Sequence, residues 1–132
     1  MNIIIDHKLG NIFSLYSACK YLGYECKISS SINEIKSASK LILPGVGHFT
    51  EGMKNLRELN LLDLLNYKVC EQKTKILGIC LGSQLLLEFS EESREEKGFG
   101  WIKGFSKKFD EGDFQTKTHN GWNDVQIKKN IF

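Results

Sequence analysis

Cys80 sits in Gly78-Ile79-Cys80-Leu81-Gly82, a thiol with a glycine two residues to either side. An apolar run, Ile76-Leu77-Gly78-Ile79, leads into it, and Gln84-Leu85-Leu86-Leu87 follows with a helical pattern. Gly-x-Cys-x-Gly at a strand-to-helix junction is the cysteine form of a nucleophile elbow. Larger side chains at 78 and 82 would collide with the turn or with the facing strand, and glycine removes both clashes. A helix starting at the sulfur points its partial positive charge at it and favours thiolate over thiol. Backbone N–H groups at the helix start, Leu81 first among them, would face a developing oxyanion. The chemistry is therefore attack by a thiolate on a carbonyl carbon. The bland alternative is a buried cysteine in an ordinary βα turn with chance glycines. The strand before, the helix after and Gln84 on its first turn weigh against it.

The other reactive groups form no second centre. Cys19, Cys26 and Cys70 are expected to be small buried hydrophobes. No Cys-x-x-Cys pair occurs and no histidine stands at finger-like spacing, so neither a zinc site nor any other metal is expected. No disulfide is expected in a reducing compartment. Of the three histidines, His48 lies beside a Pro44-Gly45-Val46-Gly47 turn and has a solvated loop position as its plain reading.

The elements that would position the thiol alternate from the first residue. Residues 3–5 form a short buried strand. A turn at Lys8-Leu9-Gly10 follows, then a helix capped by Asn11, carrying Ile12, Leu15, Tyr16, Cys19 and Leu22, and stopped by Gly23. Residues 25–28 give a second strand, and Ser31 with Glu34 fits a capping box for a brief helix ending near Ala38. Residues 41–43 are a third strand, ended by the Pro44 turn. Two helical stretches come next, one with Met53, Leu56 and Leu59 on a face, the other lined by Leu61, Leu64, Leu65 and Lys68 to Val69. The fourth strand, 76–79, enters the Cys80 turn, and the helix beyond it is expected to run through Phe89. Residues 90–97 read as a charged solvated loop, and 102–109 and 124–127 as strands added antiparallel to the sheet.

This order predicts an α/β fold, an open and mostly parallel sheet with helices on both faces, in a single domain over 1–132. Right-handed crossovers bring the carboxyl ends of the strands to one rim, where the turns after Asp6, Leu43 and Ile79 should meet.

Composition excludes several classes. At 41% hydrophobic and 26% charged, the 132 residues are ordinary for a globular protein rather than a disordered one. A net charge of +2 gives no argument for nucleic acid or an anionic membrane. No apolar run approaches the roughly 20 residues of a membrane span. The N-terminus lacks the pattern of a secretion signal, so a cytoplasmic location is expected.

Gly78 to Leu86, GICLGSQLL, resembles the nucleophile segment of class I glutamine amidotransferases, which have a flavodoxin-like sheet. More narrowly it resembles the glutaminase subunit of imidazole glycerol phosphate synthase, of histidine biosynthesis. Asp6 with Gly10-Asn11 is similar to that subunit's first turn. Leu43 to Gly47 followed by Phe49 is similar to its oxyanion strand, and His119-Asn120-Gly121-Trp122-Asn123 to its His-x-Gly-Trp-Asn segment. The motifs keep the family's order and span essentially the whole chain. The resemblance implies that Cys80 forms a glutamyl thioester and releases ammonia. It implies an oxyanion hole from Val46, Gly47 and Leu81, and a glutamine site from Gly45, Gly82 and Gln84. Asn11 and Trp122 would face a (β/α)8-barrel cyclase in a heterodimer that receives the ammonia. No cofactor is implied.

Three departures stand out. The family's His-x-Glu pair is missing: His7, His48 and His119 are followed by Lys8-Leu9, Phe49-Thr50 and Asn120-Gly121. The expectation is a domain incomplete at its C-terminus, which leaves open a binding relic that docks but does not turn over. His7 stands where a tyrosine is usual, and Ser83 where methionine is usual. Those two keep open an amidotransferase subunit feeding a sugar-modifying synthetase of surface-polysaccharide assembly. A different elbow-cysteine hydrolase is the third alternative.

Overall fold

The computed structural model describes residues 1–109, 121–124, 126 and 128. Four short strands build a parallel sheet: β1 (Asn2–Ile5), β2 (Cys26–Ser29), β3 (Lys40–Leu43) and β4 (Lys75–Gly78), in the order β2-β1-β3-β4. The helices between them are α1 (Ile12–Tyr21), α2 (Ile32–Ser37), α3 (Phe49–Glu58) and α4 (Leu62–Asn66), the last continuing into a π-helical turn at Tyr67–Glu71. After β4 comes α5 (Leu81–Leu85).

The periodicity explains the packing. Ile3 and Ile5 on β1 and Leu41 and Leu43 on β3 point to one face, where they join Ile35, Phe49, Met53, Leu56, Leu61, Leu65, Leu81 and Leu85 in one core. Burying a Leu or Ile side chain contributes about 1.5–3 kcal/mol, so this face dominates stability. Ile4 and Ile28, paired across β1 and β2, point the other way. Cys26 shares their face and touches Cys19 of α1, which places α1 there. Helices thus lie on both faces. At β4 the sheet is open, with Leu77 45% and Ile79 36% exposed.

Local signals account for the helix ends. Asn11 Oδ1 accepts the Ser14 N–H at 3.3 Å and starts α1. Gly23, at φ 78°, ends it, with Tyr24 N–H donating to Cys19 O and Gly23 N–H to Lys20 O. The capping box expected at Ser31 and Glu34 does not form. Glu34 turns instead to Lys27, 2.6 Å away, and Ser31 N–H donates to Ser29 Oγ, because the preceding strand offers nearer partners. Lys68 is buried on the π-helical turn and donates to Lys36 O at 2.9 Å and Ala38 O at 2.8 Å, which ties that turn to the end of α2.

Beyond α5 the sequence reading needs correction. The helix does not reach Phe89. It closes at Leu86, and β5 (Phe89–Ser90) and β6 (Ser93–Lys97), predicted as helix or loop, form a second sheet with β7 (Phe105–Ser106) from the predicted strand span, in the order β6-β5-β7. Gly98 packs so tightly on the Leu85 and Leu87 carbonyls that a β-carbon there would clash, and its N–H donates to Glu88 O at 2.8 Å. That close approach turns the chain back where helical spacing alone would have continued. The span 102–109 contributes only β7, which pairs parallel to β5 and does not join the main sheet. Of the strand expected at 124–127, Val125 and Ile127 lie outside the described residues, and Asp124 and Gln126 are in no strand. Cys19 is buried as expected, whereas Cys26 is half-buried and Cys70 exposed on the π-helical turn. Among the described residues no helix is long and apolar enough to cross a membrane.

Candidate active site

The strand order reverses between β1 and β3, so the crevice of the sheet lies at their carboxyl ends. The turns after β1, β3 and β4 meet there. Cys80 stands between β4 and α5 at φ 53° and ψ −121°, a backbone region that costs a non-glycine residue about 1–3 kcal/mol. Its side chain is exposed. The two glycines around it are required by close approach. A β-carbon on Gly78 would stand 2.6 Å from Ser83 Cα, and one on Gly82 would collide with the Leu43 carbonyl oxygen. Ile79 N–H donates to that same oxygen at 3.0 Å, so β3 holds the elbow from below.

The amides of α5 are already engaged. Gly82 N–H donates to Ile79 O, while Ser83 N–H and Ser83 Oγ both donate to Cys80 O, the hydroxyl at 2.6 Å. Leu81 N–H, read from sequence as facing an oxyanion, donates to Gly45 O at 3.2 Å. With five residues, α5 also carries less dipole than the longer helix expected from sequence. The N–H groups of Val46 and Gly47, in contrast, have no acceptor among the described residues, and both residues are exposed, with Gly47 at φ 117°. Gly45 is buried against Leu81, and a β-carbon on it would come within 3.0 Å of Leu81 Cβ. Gln84 is half-buried on α5.

Sequence reasoning missed the anchor of this arrangement. His7 is fully buried, and its Nε2 lies 2.6 Å from Pro44 O. A carbonyl can only accept, so Nε2 carries the proton. Nδ1 is then a buried acceptor without a partner among the described residues. Burial lowers the pKa of His7 below its ordinary value, against smaller opposing effects of the Pro44 carbonyl and Asp6. The main-chain oxygen of His7 accepts Asn55 Nδ2 from α3 at 2.9 Å. Nothing in spacing distinguishes a histidine after a first strand from a loop histidine; only its position at the end of an apolar run hinted at burial.

The remaining candidates fall as follows. Asn11 is exposed and caps α1. His48 is exposed and caps α3, its Nδ1 accepting Thr50 N–H. Trp122 is fully exposed. His119 and Asn120 lie outside the described residues. Among the described residues no histidine is hydrogen-bonded to Cys80, and no group of three or more His, Cys, Asp or Glu could hold a metal.

A strained cysteine at a βα elbow thus stands beside a Pro-Gly-x-Gly turn, joined to it by the bond from Leu81 N–H to Gly45 O. The family model for glutamine amidotransferase class-I matches residues 3–129. The chain is 45% identical over 127 residues to imidazole glycerol phosphate synthase subunit HisH 2 of Methanococcus maripaludis, a match covering 96% of the chain and 62% of that protein. It is 43% identical to HisH 2 of Pseudomonas aeruginosa, covering 95% of the chain and 61% of the relative. It is also 43% identical to HisH 1 of Campylobacter jejuni, covering 99% and 65%. The chain thus spans somewhat under two thirds of the length of the curated relatives it matches. A crystal structure of a glutamine amidotransferase superposes with a TM-score of 0.66 at 23% identity, over 80% of this chain and 56% of that one, a likeness of fold. With the family model spanning nearly every residue and the elbow, the facing turn and the parallel sheet in place, the chain belongs to the class-I glutamine amidotransferase family.

Proposed function

We propose that this chain carries the nucleophile and oxyanion turn of a glutaminase that hydrolyses the side-chain amide of glutamine and passes ammonia to a (β/α)8-barrel cyclase subunit in histidine biosynthesis. One observation carries the reading: Cys80, held at positive φ with its thiol exposed, stands at the crevice where the Pro44 to Gly47 turn folds over the start of α5. The names of the relatives support this reading, each being a subunit of imidazole glycerol phosphate synthase.

In this reading the Cys80 thiolate attacks the amide carbon of glutamine, and the carbonyl oxygen becomes an oxyanion. Val46 and Gly47 offer N–H groups free of acceptors among the described residues. Leu81 N–H joins them once Gly45 O gives it up, a rearrangement that substrate or partner would drive. Collapse of the tetrahedral species breaks the C–N bond, ammonia leaves with an added proton, and water then cleaves the thioester. Gln84, Gly45 and Gly82 line the glutamine site, and Asn11 and Trp122 lie toward the partner. The proton transfers need a base, which in the family is a histidine oriented by a glutamate. A base and its orienter contribute roughly 10²–10⁴-fold in rate.

The test is glutamate and ammonia release from glutamine, with and without the cyclase subunit. Stimulated release that Cys80→Ala abolishes supports the proposal. Stimulation by a sugar-modifying synthetase instead would reassign the partner. Binding to the cyclase without any turnover would leave a docking relic.

A further inference from the structure

We propose that His7 is a positioning residue for the oxyanion turn: by donating from Nε2 to the Pro44 carbonyl, it fixes the peptide plane that feeds Gly45, Val46 and Gly47. The inference rests on the glutaminase reading and adds to it a residue that never touches substrate.

The geometry is a chain of grips on one short turn. A planar peptide has no freedom of its own, so holding Pro44 O also sets the direction of Gly45 N–H. On the next residue, Gly10 packs close; a β-carbon there would lie 3.5 Å from both Cα and N of Gly45. His7 is itself held, because Asn55 of α3 bonds its main-chain oxygen. At the far end of the turn Phe49 N–H donates to Glu92 Oε2 at 3.1 Å. Both ends are therefore fixed, and the exposed Val46-Gly47 pair is the part left to move. All this lies one hydrogen bond from the nucleophile, through Gly45 O and Leu81 N–H.

A purely space-filling role does not account for histidine. Phenylalanine would fill the same volume without burying an Nδ1 that has no partner among the described residues. What the imidazole adds is one donor aimed at one carbonyl. The turn of the neighbouring strand needs that donor because Pro44 is buried and its carbonyl has no other partner among the described residues.

The experiment compares two alkylating agents at Cys80 in the full chain, read by intact mass. A chloroketone analogue of glutamine reacts by forming a bond from sulfur to its methylene carbon, with chloride leaving and the thiol proton passing to solvent. Its ketone oxygen needs the oxyanion turn, whereas iodoacetamide needs only an exposed thiol. His7→Phe should lower the maximal chloroketone rate tenfold or more, with half-saturation and the iodoacetamide rate unchanged within about twofold. His7→Gln, which restores a donor near the Nε2 position, should recover most of that rate. A wild-type rate in His7→Phe, or a His7→Gln variant as slow as His7→Phe, overturns the proposal. Should His7→Phe not fold, Asn55→Ser is read in the same way, its expected loss being severalfold and a wild-type rate again overturning the idea. If the unaltered chain reacts with iodoacetamide but not with the chloroketone, the glutaminase reading fails, and the role of His7 goes with it.

Discussion

Gly82 lies so close beneath Leu43 that a β-carbon on it would overlap the leucine's carbonyl oxygen. Helix α5 can therefore start at Cys80 only if residue 82 has no side chain. Gly82→Ala must push α5 away from β3 or break the bond from Ile79 N–H to Leu43 O. Overpacking of this kind costs about 1–3 kcal/mol, and the backbone contact here puts the expectation at the upper end. Chemical denaturation of the variant checks it, and an unchanged midpoint would refute the fit described.

The strain at Cys80 predicts a divergence between two variants that both lack the thiol. At φ 53° and ψ −121°, glycine is at ease and alanine is not. Cys80→Gly should be more stable than Cys80→Ala by about 1–3 kcal/mol. Thermal melts of the two side by side decide it; equal stability would mean that the turn relaxes once the thiol is gone.

Burial of His7 makes stability depend on pH in a defined direction. Its folded pKa is lowered from the ordinary 6.5, so the unfolded chain binds more protons in the window below that value. Stability from this group is fully present above about pH 6.5 and is lost as the pH falls toward the folded value. Carboxylates also titrate on the acid side, so the measure is a difference. Between pH 7.5 and 5.5 the wild type should lose more stability than His7→Gln, and parallel curves would contradict the assignment.

The thiols should separate by reactivity. Burial pushes the Cys26 thiol up to about 11, with the Cys19 thiol beside it adding to the effect. Cys19 is buried, whereas Cys70 and Cys80 are exposed. Limited iodoacetamide treatment near neutral pH, followed by peptide mapping, should mark Cys80 and Cys70 before Cys26 and Cys19. Early labelling of Cys26 would mean that α1 does not pack on β2 as described.

Lys68 tests the other end of the fold. Its ammonium serves two carbonyls at the end of α2, and Lys68→Met keeps the stem but leaves both without that donor. A loss of about 1–3 kcal/mol is expected, and no loss would show that water replaces the ammonium.

How much of this was legible in the residues differs by element. The parallel strands were plain because β1, β3 and β4 are built on short apolar runs between helical periods, as a sheet covered on both faces requires, and β2 falls in the gap between two helices. Asn11 and Gly23 marked the ends of α1 because capping is settled within one turn. The second sheet was not legible. Leu85-Leu86-Leu87 has helical spacing, and what turns the chain is the packing of Gly98, more than ten residues later, on the Leu85 and Leu87 carbonyls. The Ser31 and Glu34 capping pattern failed for a similar reason, since Lys27 on the neighbouring strand is a better partner for the carboxylate than a backbone amide.

By itself the sequence determined the cysteine elbow, the glycines that let its turn close, and the sheet that carries it, since all of these follow from residue types at short, fixed spacings. Tertiary structure alone decided what surrounds the thiol. It put the Leu81 amide on the Gly45 carbonyl and a buried histidine on Pro44, and it left the Val46 and Gly47 amides without an acceptor among the described residues. Those outcomes depend on the meeting of three turns tens of residues apart in the chain. Hydrogen-bond partners are chosen by which groups burial brings within about 3 Å, and no local pattern encodes that choice.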